Sequence, residues 1–192
     1  GRVTGDDGCV SCPPGTWVKE VGQRSCNACP TGYHQDSTGS AFCLPCTPGK
    51  YQNTIRSHFC KDCEVGRYIA STNTSTSCQE CPVGKSQAVN GSSSCIECIP
   101  GKYQDQKGYG TCKDCSPGKQ AQVNGQQFCV DCEPGAYQPT AGSSLCFPCA
   151  PGKRQLYTTN ATTCTDCLSG RYADTTGTNT TCEACPTGFA QH

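Results

Sequence analysis

The chain has 192 residues with 15 basic and 15 acidic side chains, a formal net charge of zero, scattered rather than blocked, so no electrostatic footprint for nucleic acid or an anionic membrane is present. Leu, Ile, Val and Phe number four, four, nine and five, about 11% of the residues, which excludes an ordinary apolar core. The 22 cysteines remain as the means of holding a fold.

Those cysteines stand as eleven Cys-x-x-Cys pairs that open near residues 9, 26, 43, 60, 78, 95, 112, 129, 146, 164 and 182. The period is 17 residues, stretched to 18 three times, so the chain reads as an array of small units rather than one or two globular domains. Each unit is far below the roughly 40 residues at which a domain folds without a staple. Zinc needs four thiolate or imidazole ligands per ion. Eleven half-sites, only three histidines and the presence of Asn-x-Ser/Thr sequons argue instead for disulfides. Disulfides imply secretion, and hence an extracellular or cell-surface location. No apolar run approaches the roughly 20 residues of a membrane span, and Gly1-Arg2-Val3-Thr4 does not read as a signal peptide. Cys9 opens in mid-pattern and the last residues break off within a repeat. The expectation is an excerpt of a longer array.

In chain order, residues 1–8 are a polar lead-in and residues 9–192 the array. A glycine stands three residues after every second cysteine, from Gly15 to Gly188, usually behind proline. Pro-Gly suits a type II turn, which needs positive φ at its second central residue. A second punctuator, Gly22, Gly39, Gly91, Gly108, Gly125 or Gly142, falls four residues before the next pair, twice as Asn-Gly, at Asn90 and Asn124. Asn-Gly is a two-residue hairpin signal. Each unit is expected to be a turn, a short strand, a tight turn and a strand returning to the next cysteine.

Ribbons of this size need a covalent closure. Joining the ribbon ends predicts Cys12–Cys26, Cys29–Cys43, Cys46–Cys60, Cys63–Cys78, Cys81–Cys95, Cys98–Cys112, Cys115–Cys129, Cys132–Cys146, Cys149–Cys164 and Cys167–Cys182, with Cys9 and Cys185 left for partners beyond the excerpt. Each such loop is worth roughly 3 kcal/mol in the chain-entropy estimate. Spacing alone does not fix pairing, and a first-to-first, second-to-second connectivity stays open. Stacked units of this kind imply an elongated rod without helix.

Five residues past the second cysteine the chain carries Trp17, His34, Tyr51 and Tyr68, then alternates Ser86, Tyr103, Gln120, Tyr137, Arg154 and Tyr172. In one reading each ring shields its own disulfide, with Val89, Val123 or Tyr157 serving the polar repeats. In the other, Tyr68, Tyr103, Tyr137 and Tyr172 form a docking face for a neighbouring chain or for sugar rings.

With Cys-x-x-Cys-x-Pro-Gly-x-Tyr and about thirteen residues between pairs, the chain resembles the ephrin-receptor-like cysteine-rich repeat over residues 9–189. That repeat is a relative of EGF-like modules and of the first half of tumour-necrosis-factor-receptor repeats. The resemblance implies a ribbon-like, disulfide-laddered rod whose bond follows the Cys-x-Pro-Gly arm. The chain lacks the longer six-cysteine spacing of death-receptor modules and the entry motif of calcium-binding EGF modules, and Asp6-Asp7 is too little to claim a calcium site.

Three isolated histidines and no paired carboxylates offer no acid/base machinery, and a non-enzyme without metal or cofactor is expected. Asp62, Asp114, Asp131 and Asp166, each just before a second cysteine, read as local Asx-turn acceptors. Sequons stand at Asn73, Asn90, Asn160 and Asn179 in Ser/Thr-rich tips that also suit O-linked sugar. The functional expectation is a glycosylated extracellular structural segment, the spacer or shaft of a surface filament such as a mastigoneme-like appendage. Its expected partners are other copies, other extracellular proteins of the same assembly and glycans, without nucleic acid or direct membrane contact. The alternative is a ligand-binding or adhesive stalk of a cell-surface receptor.

Overall fold

The computed structural model describes residues 1–5, 8–71, 74–156, 160–177 and 181–189. Among them there is no helix, and eleven two-stranded antiparallel sheets follow one another along the chain. Ten disulfides close in tandem, each joining the second cysteine of a pair to the first of the next, from Cys12–Cys26 to Cys167–Cys182. We number the closed loops repeats 1 to 10; repeat 2, for example, is closed by Cys29–Cys43 and repeat 3 by Cys46–Cys60.

The strands are two residues long and sit differently from the sequence expectation. Thr16–Trp17 pairs with Asn27–Ala28, and Lys50–Tyr51 with Lys61–Asp62. The return strand is therefore the two residues inside Cys-x-x-Cys, beyond the closing bond rather than before it. Arg2–Gly5 pairs with Gly8–Ser11, so the lead-in supplies the first strand and takes Val10 and Ser11 as partners.

The Asn-Gly tips differ as well. Gly91 and Gly125 have φ of +70° and +73°, but neither Asn90 nor Asn124 has positive φ, so these are not the two-residue type I′ turns that Asn-Gly favours. The reason is a bond to the neighbouring repeat. Gly91 N–H donates to Cys63 O, and Gly125 N–H to Cys98 O, both at 2.8 Å.

By contact the chain divides into two units. Residues 1–82, 86–96 and 107–111 form the first; residues 83–85, 97–106 and 112–192 form the second. Each has the same interior, a line of half-cystines with almost no aliphatic side chain. In the first unit the second cysteines Cys12, Cys29, Cys46, Cys63 and Cys81 are fully buried, joined by Val18 and Ile69. In the second, Cys115 and Cys149 are fully buried, with Ala121 and Ala161 beside them. Large apolar residues lie mostly outside, Phe42, Phe59, Phe128, Leu145 and Phe147 among them.

Candidate functional site along the repeat junctions

The position six residues past the second cysteine carries the interior polar chemistry. It holds Val18, Gln35, Gln52, Ile69, Gln87, Gln104, Ala121, Gln138, Gln155 and Ala173, and all ten are buried. Each glutamine amide ties the loop across its own base. Gln52 Nε2 donates to Phe59 O at 2.7 Å, while its Oε1 accepts from Thr54 N–H at 2.9 Å and from Thr54 Oγ1. Gln35, Gln87 and Gln138 repeat both halves of this clamp. A buried amide is tolerated only when its donors and acceptor are satisfied, and here they satisfy the carbonyl and amide groups that a strand ladder would otherwise have paired. This column escaped the sequence reading. Its signal was present in Gln35, Gln52, Gln87, Gln104, Gln138 and Gln155, with a small or aliphatic residue at every third repeat.

The junction between repeats is made of main-chain atoms. In the first unit, Gly32 N–H donates to Gln52 O of the following repeat at 2.7 Å, Gln35 N–H to Ser57 O at 3.2 Å, and Arg56 N–H back to Cys29 O at 2.8 Å. In the second, Gly118 N–H donates to Gln138 O at 2.7 Å, Ala121 N–H to Ser143 O at 3.4 Å, and Gly142 N–H back to Cys115 O at 2.8 Å. The glycines three residues past the second cysteine have a second task besides positive φ. A Cβ placed on Gly66 would collide with the carbonyl of Gly108, and one on Gly101 with that of Gly142, two repeats further along. Arg56 and Asn160 stand at the tip position that glycine holds at Gly22, Gly39, Gly91, Gly108, Gly125 and Gly142, and they alone among the described non-glycine residues have positive φ, +60° and +50°.

Asp62, Asp114, Asp131 and Asp166 are not turn acceptors. They lie in return strands, directly opposite Lys50, Lys102, Lys119 and Lys153, and each carboxylate takes a bond from that lysine. Cross-strand register puts the two side chains on one face, where opposite charges attract. Arg67–Glu80 and Lys85–Glu97 continue the series. Asp131 also accepts Asn160 N–H at 3.3 Å. The Lys119 ammonium, assisted by that amide, holds the Asp131 carboxyl below the usual aspartate range.

The residues five past the second cysteine are half-buried, Tyr68, Tyr103, Tyr137 and Tyr172 included. The structure does not set each against its own disulfide; where contacts reach a cysteine, it belongs to the closing bond of the next repeat. His34 Nδ1 is 3.2 Å from Cys60 Sγ, and Gln120 Oε1 accepts Cys146 N–H at 2.9 Å. Tyr51 and Cys78 share a cleft of about 280 Å³, Tyr137 and Cys164 one of about 330 Å³. Val89 and Val123 are exposed and shield nothing; Tyr157 lies outside the described residues. Among the other tyrosines, Tyr103 lies 5.8 Å from the Lys113 ammonium, and Tyr137 packs on Phe147 with centroids 6.2 Å apart. Tyr172 donates to Glu183 Oε2 at 3.1 Å, and that bond raises the phenol above its ordinary pKa.

Of the sequons, Asn90 and Asn160 are exposed; Asn73 and Asn179 lie outside the described residues, as does the Asp6-Asp7 pair. Cys9 is exposed and Cys185 half-buried, neither in a disulfide. His34, Cys46 and Cys60 place their ligand atoms within 4.8 Å of one another, but the two sulfurs are bonded together and so are not thiolate ligands.

Residues 3–42 match the family model described as tyrosine-protein kinase ephrin type A/B receptor-like. No curated protein matches the chain. Among solved structures, a chain of the human RANKL/OPG complex is 22% identical, covering 69% of this chain and 98% of its own, with a TM-score of 0.23. The family match supports ephrin-receptor-like cysteine-rich sequence over residues 3–42, and ten disulfides in tandem are of the kind found in oxidising, extracellular settings. No helix among the described residues is long and apolar enough to cross a membrane.

Proposed function

We propose that this chain is a glycosylated structural segment of an extracellular protein, a spacer or the shaft of a surface filament, which associates laterally with further copies of itself. The observation that carries this reading is the junction itself. The same main-chain bonds recur from one repeat to the next, while the covalent closures lie within repeats. Within each unit neighbouring repeats are thus tied by bonds that need no particular side chain, which suits a spacer or shaft.

A segregation along the chain supports lateral association. Exposed phenylalanines stand in or beside repeats 2, 3, 7 and 8, at Phe42, Phe59, Phe128 and Phe147, and again at Phe189, while exposed leucines occur in repeats 9 and 10 as well, at Leu156 and Leu168. The sequons fall in repeats 4, 5, 9 and 10. Sugar on Asn73, Asn90, Asn160 and Asn179 would leave Phe42, Phe59 and Phe128 uncovered, since their repeats carry no sequon. Regularly recurring contacts between copies favour open-ended assembly.

The second reading, a ligand-binding or adhesive stalk, is favoured by the clefts beside Tyr51 and Tyr137. Each joins an aromatic wall to a cation, Arg67 or Lys153. Electron microscopy of native secreted material, neither reduced nor deglycosylated, separates the two. Regular filaments several copies thick support the structural reading; single short stalks overturn it in favour of the second.

A further inference from the structure

Repeat 3 differs from its neighbours in what stands against its closing bond. Repeats 3 and 8 offer Tyr51 and Tyr137 to the next closing cysteine, and repeat 7 offers Gln120. Repeat 2 offers an imidazole, with His34 Nδ1 3.2 Å from Cys60 Sγ and a ring nitrogen within 4.8 Å of Cys46 Sγ as well. Of these side chains only imidazole exchanges a proton readily near neutral pH.

Access is provided as well. Cys60 is half-buried and lines an open cavity of about 440 Å³ with His34, Asp36, Lys50, His58 and Phe59, whereas Cys46 is fully buried. An incoming reagent therefore meets Cys60 first. Asp36, Lys50 and His58 are the other charged or titratable groups facing that space, and Lys50 is engaged by Asp62 across the hairpin.

We propose that Cys46–Cys60 is a thiol-exchangeable bond, opened by low-molecular-weight thiols with His34 as proton carrier. His34 takes the proton of the incoming thiol, and the resulting thiolate attacks Cys60 Sγ. The Cys46–Cys60 bond breaks as the new sulfur–sulfur bond forms, and the electron pair leaves on Cys46 Sγ. The imidazolium returns its proton to Cys46, leaving a mixed disulfide on Cys60 and a free thiol on Cys46. A second thiol attacks the mixed disulfide and releases the oxidised reagent. Overall two thiols are oxidised to one disulfide and the Cys46–Cys60 bond is reduced to two thiols. A leaving sulfur departs faster when its thiolate is stabilised, and a neighbouring imidazolium supplies that stabilisation.

The other nine disulfides of the same molecule are the reference. Intact protein is incubated at neutral pH with reduced glutathione, quenched in acid, alkylated, and each bond is quantified by peptide mass spectrometry. Cys46–Cys60 is expected to open on the order of tenfold faster than Cys132–Cys146, which has Gln120 in the place of His34. His34→Tyr is expected to bring it back to the rate of the others, and His58→Gln to leave it fast. Gln120→His is expected to accelerate Cys132–Cys146. Equal opening of all ten bonds, or an His34→Tyr variant as fast as the parent, overturns the proposal. The Gln120→His result decides it should His34→Tyr fail to fold.

Discussion

Gly66 and Gly108 meet backbone to backbone: the Cα of the first faces the carbonyl of the second across two repeats, leaving no room for a side chain. A glycine read from sequence as a turn residue is thus also a packing residue. Gly66→Ala incurs the cost of φ near +79°, about 1–3 kcal/mol, and a steric clash besides. Gly170, with φ of +76° and no described atom within 4 Å of an added Cβ, incurs the first cost alone. Hydrogen exchange is expected to show Gly66→Ala loosening the tip amides around Gly108, two repeats along, and Gly170→Ala disturbing only its own turn. Equal effects would mean that the close approach adds nothing.

Gln52 closes its loop by hydrogen bonds at both ends of one amide. Gln52→Ala removes the partners of Phe59 O and Thr54 N–H, which sit on exposed residues, at about 1 kcal/mol for each lost hydrogen bond. Faster exchange of the Thr54 amide, with Cys46–Cys60 still closed, is the expected result. Gln52→Glu should be as harmful at neutral pH, since a carboxylate donates nothing to Phe59 O. It should improve on acidification, because protonation restores the donor.

The Asp131 carboxyl, held below its ordinary range by Lys119 and the Asn160 amide, sets a pH dependence of definite sign. A depressed folded-state pKa adds stability above the unfolded aspartate value, and this is lost as pH falls through the lower folded value. The junction between residues 131 and 160 is therefore expected to loosen in acid below about pH 4. The effect should be less than about 1 kcal/mol, the scale of an exposed ion pair. Asp131→Asn should remove that pH dependence from Asn160 amide exchange.

Replacing Tyr103, Tyr137 and Tyr172 together by Ser is expected to weaken lateral association by a factor on the order of ten, through lost aromatic contact area, with all ten disulfides intact. Sedimentation of the glycosylated protein measures this. Unchanged association would leave those tyrosines as cover for the hairpins and would remove them from any docking face.

The covalent framework was legible because it is local: ribbon ends marked by Cys12 and Cys26 lie near each other for any short hairpin. Contacts that depend on how one repeat lies on another were hidden. Gly66 against Gly108 is separated by 42 positions, and His34 against Cys60 by 26; neither spacing corresponds to a single 17-residue period. Asp62 and its equivalents were misread for a different reason. The strand was placed before the closing cysteine rather than after it, so the partner Lys50 was not seen to stand opposite. The glutamine column was visible as a recurrence, but a polar residue in a nearly coreless chain reads as surface until its amide is found spanning the loop.

A junction written in backbone hydrogen bonds also bears on how such a gene can change. Duplicating or deleting a repeat by unequal recombination joins two existing junction halves. Little side-chain complementarity has to be reinvented where they meet, beyond contacts such as Gln120 to Cys146 and Asp131 to Asn160. Array length is then a variable that selection can adjust in single-repeat steps, while sugar sites, apolar patches or a reactive bond drift onto individual repeats afterwards.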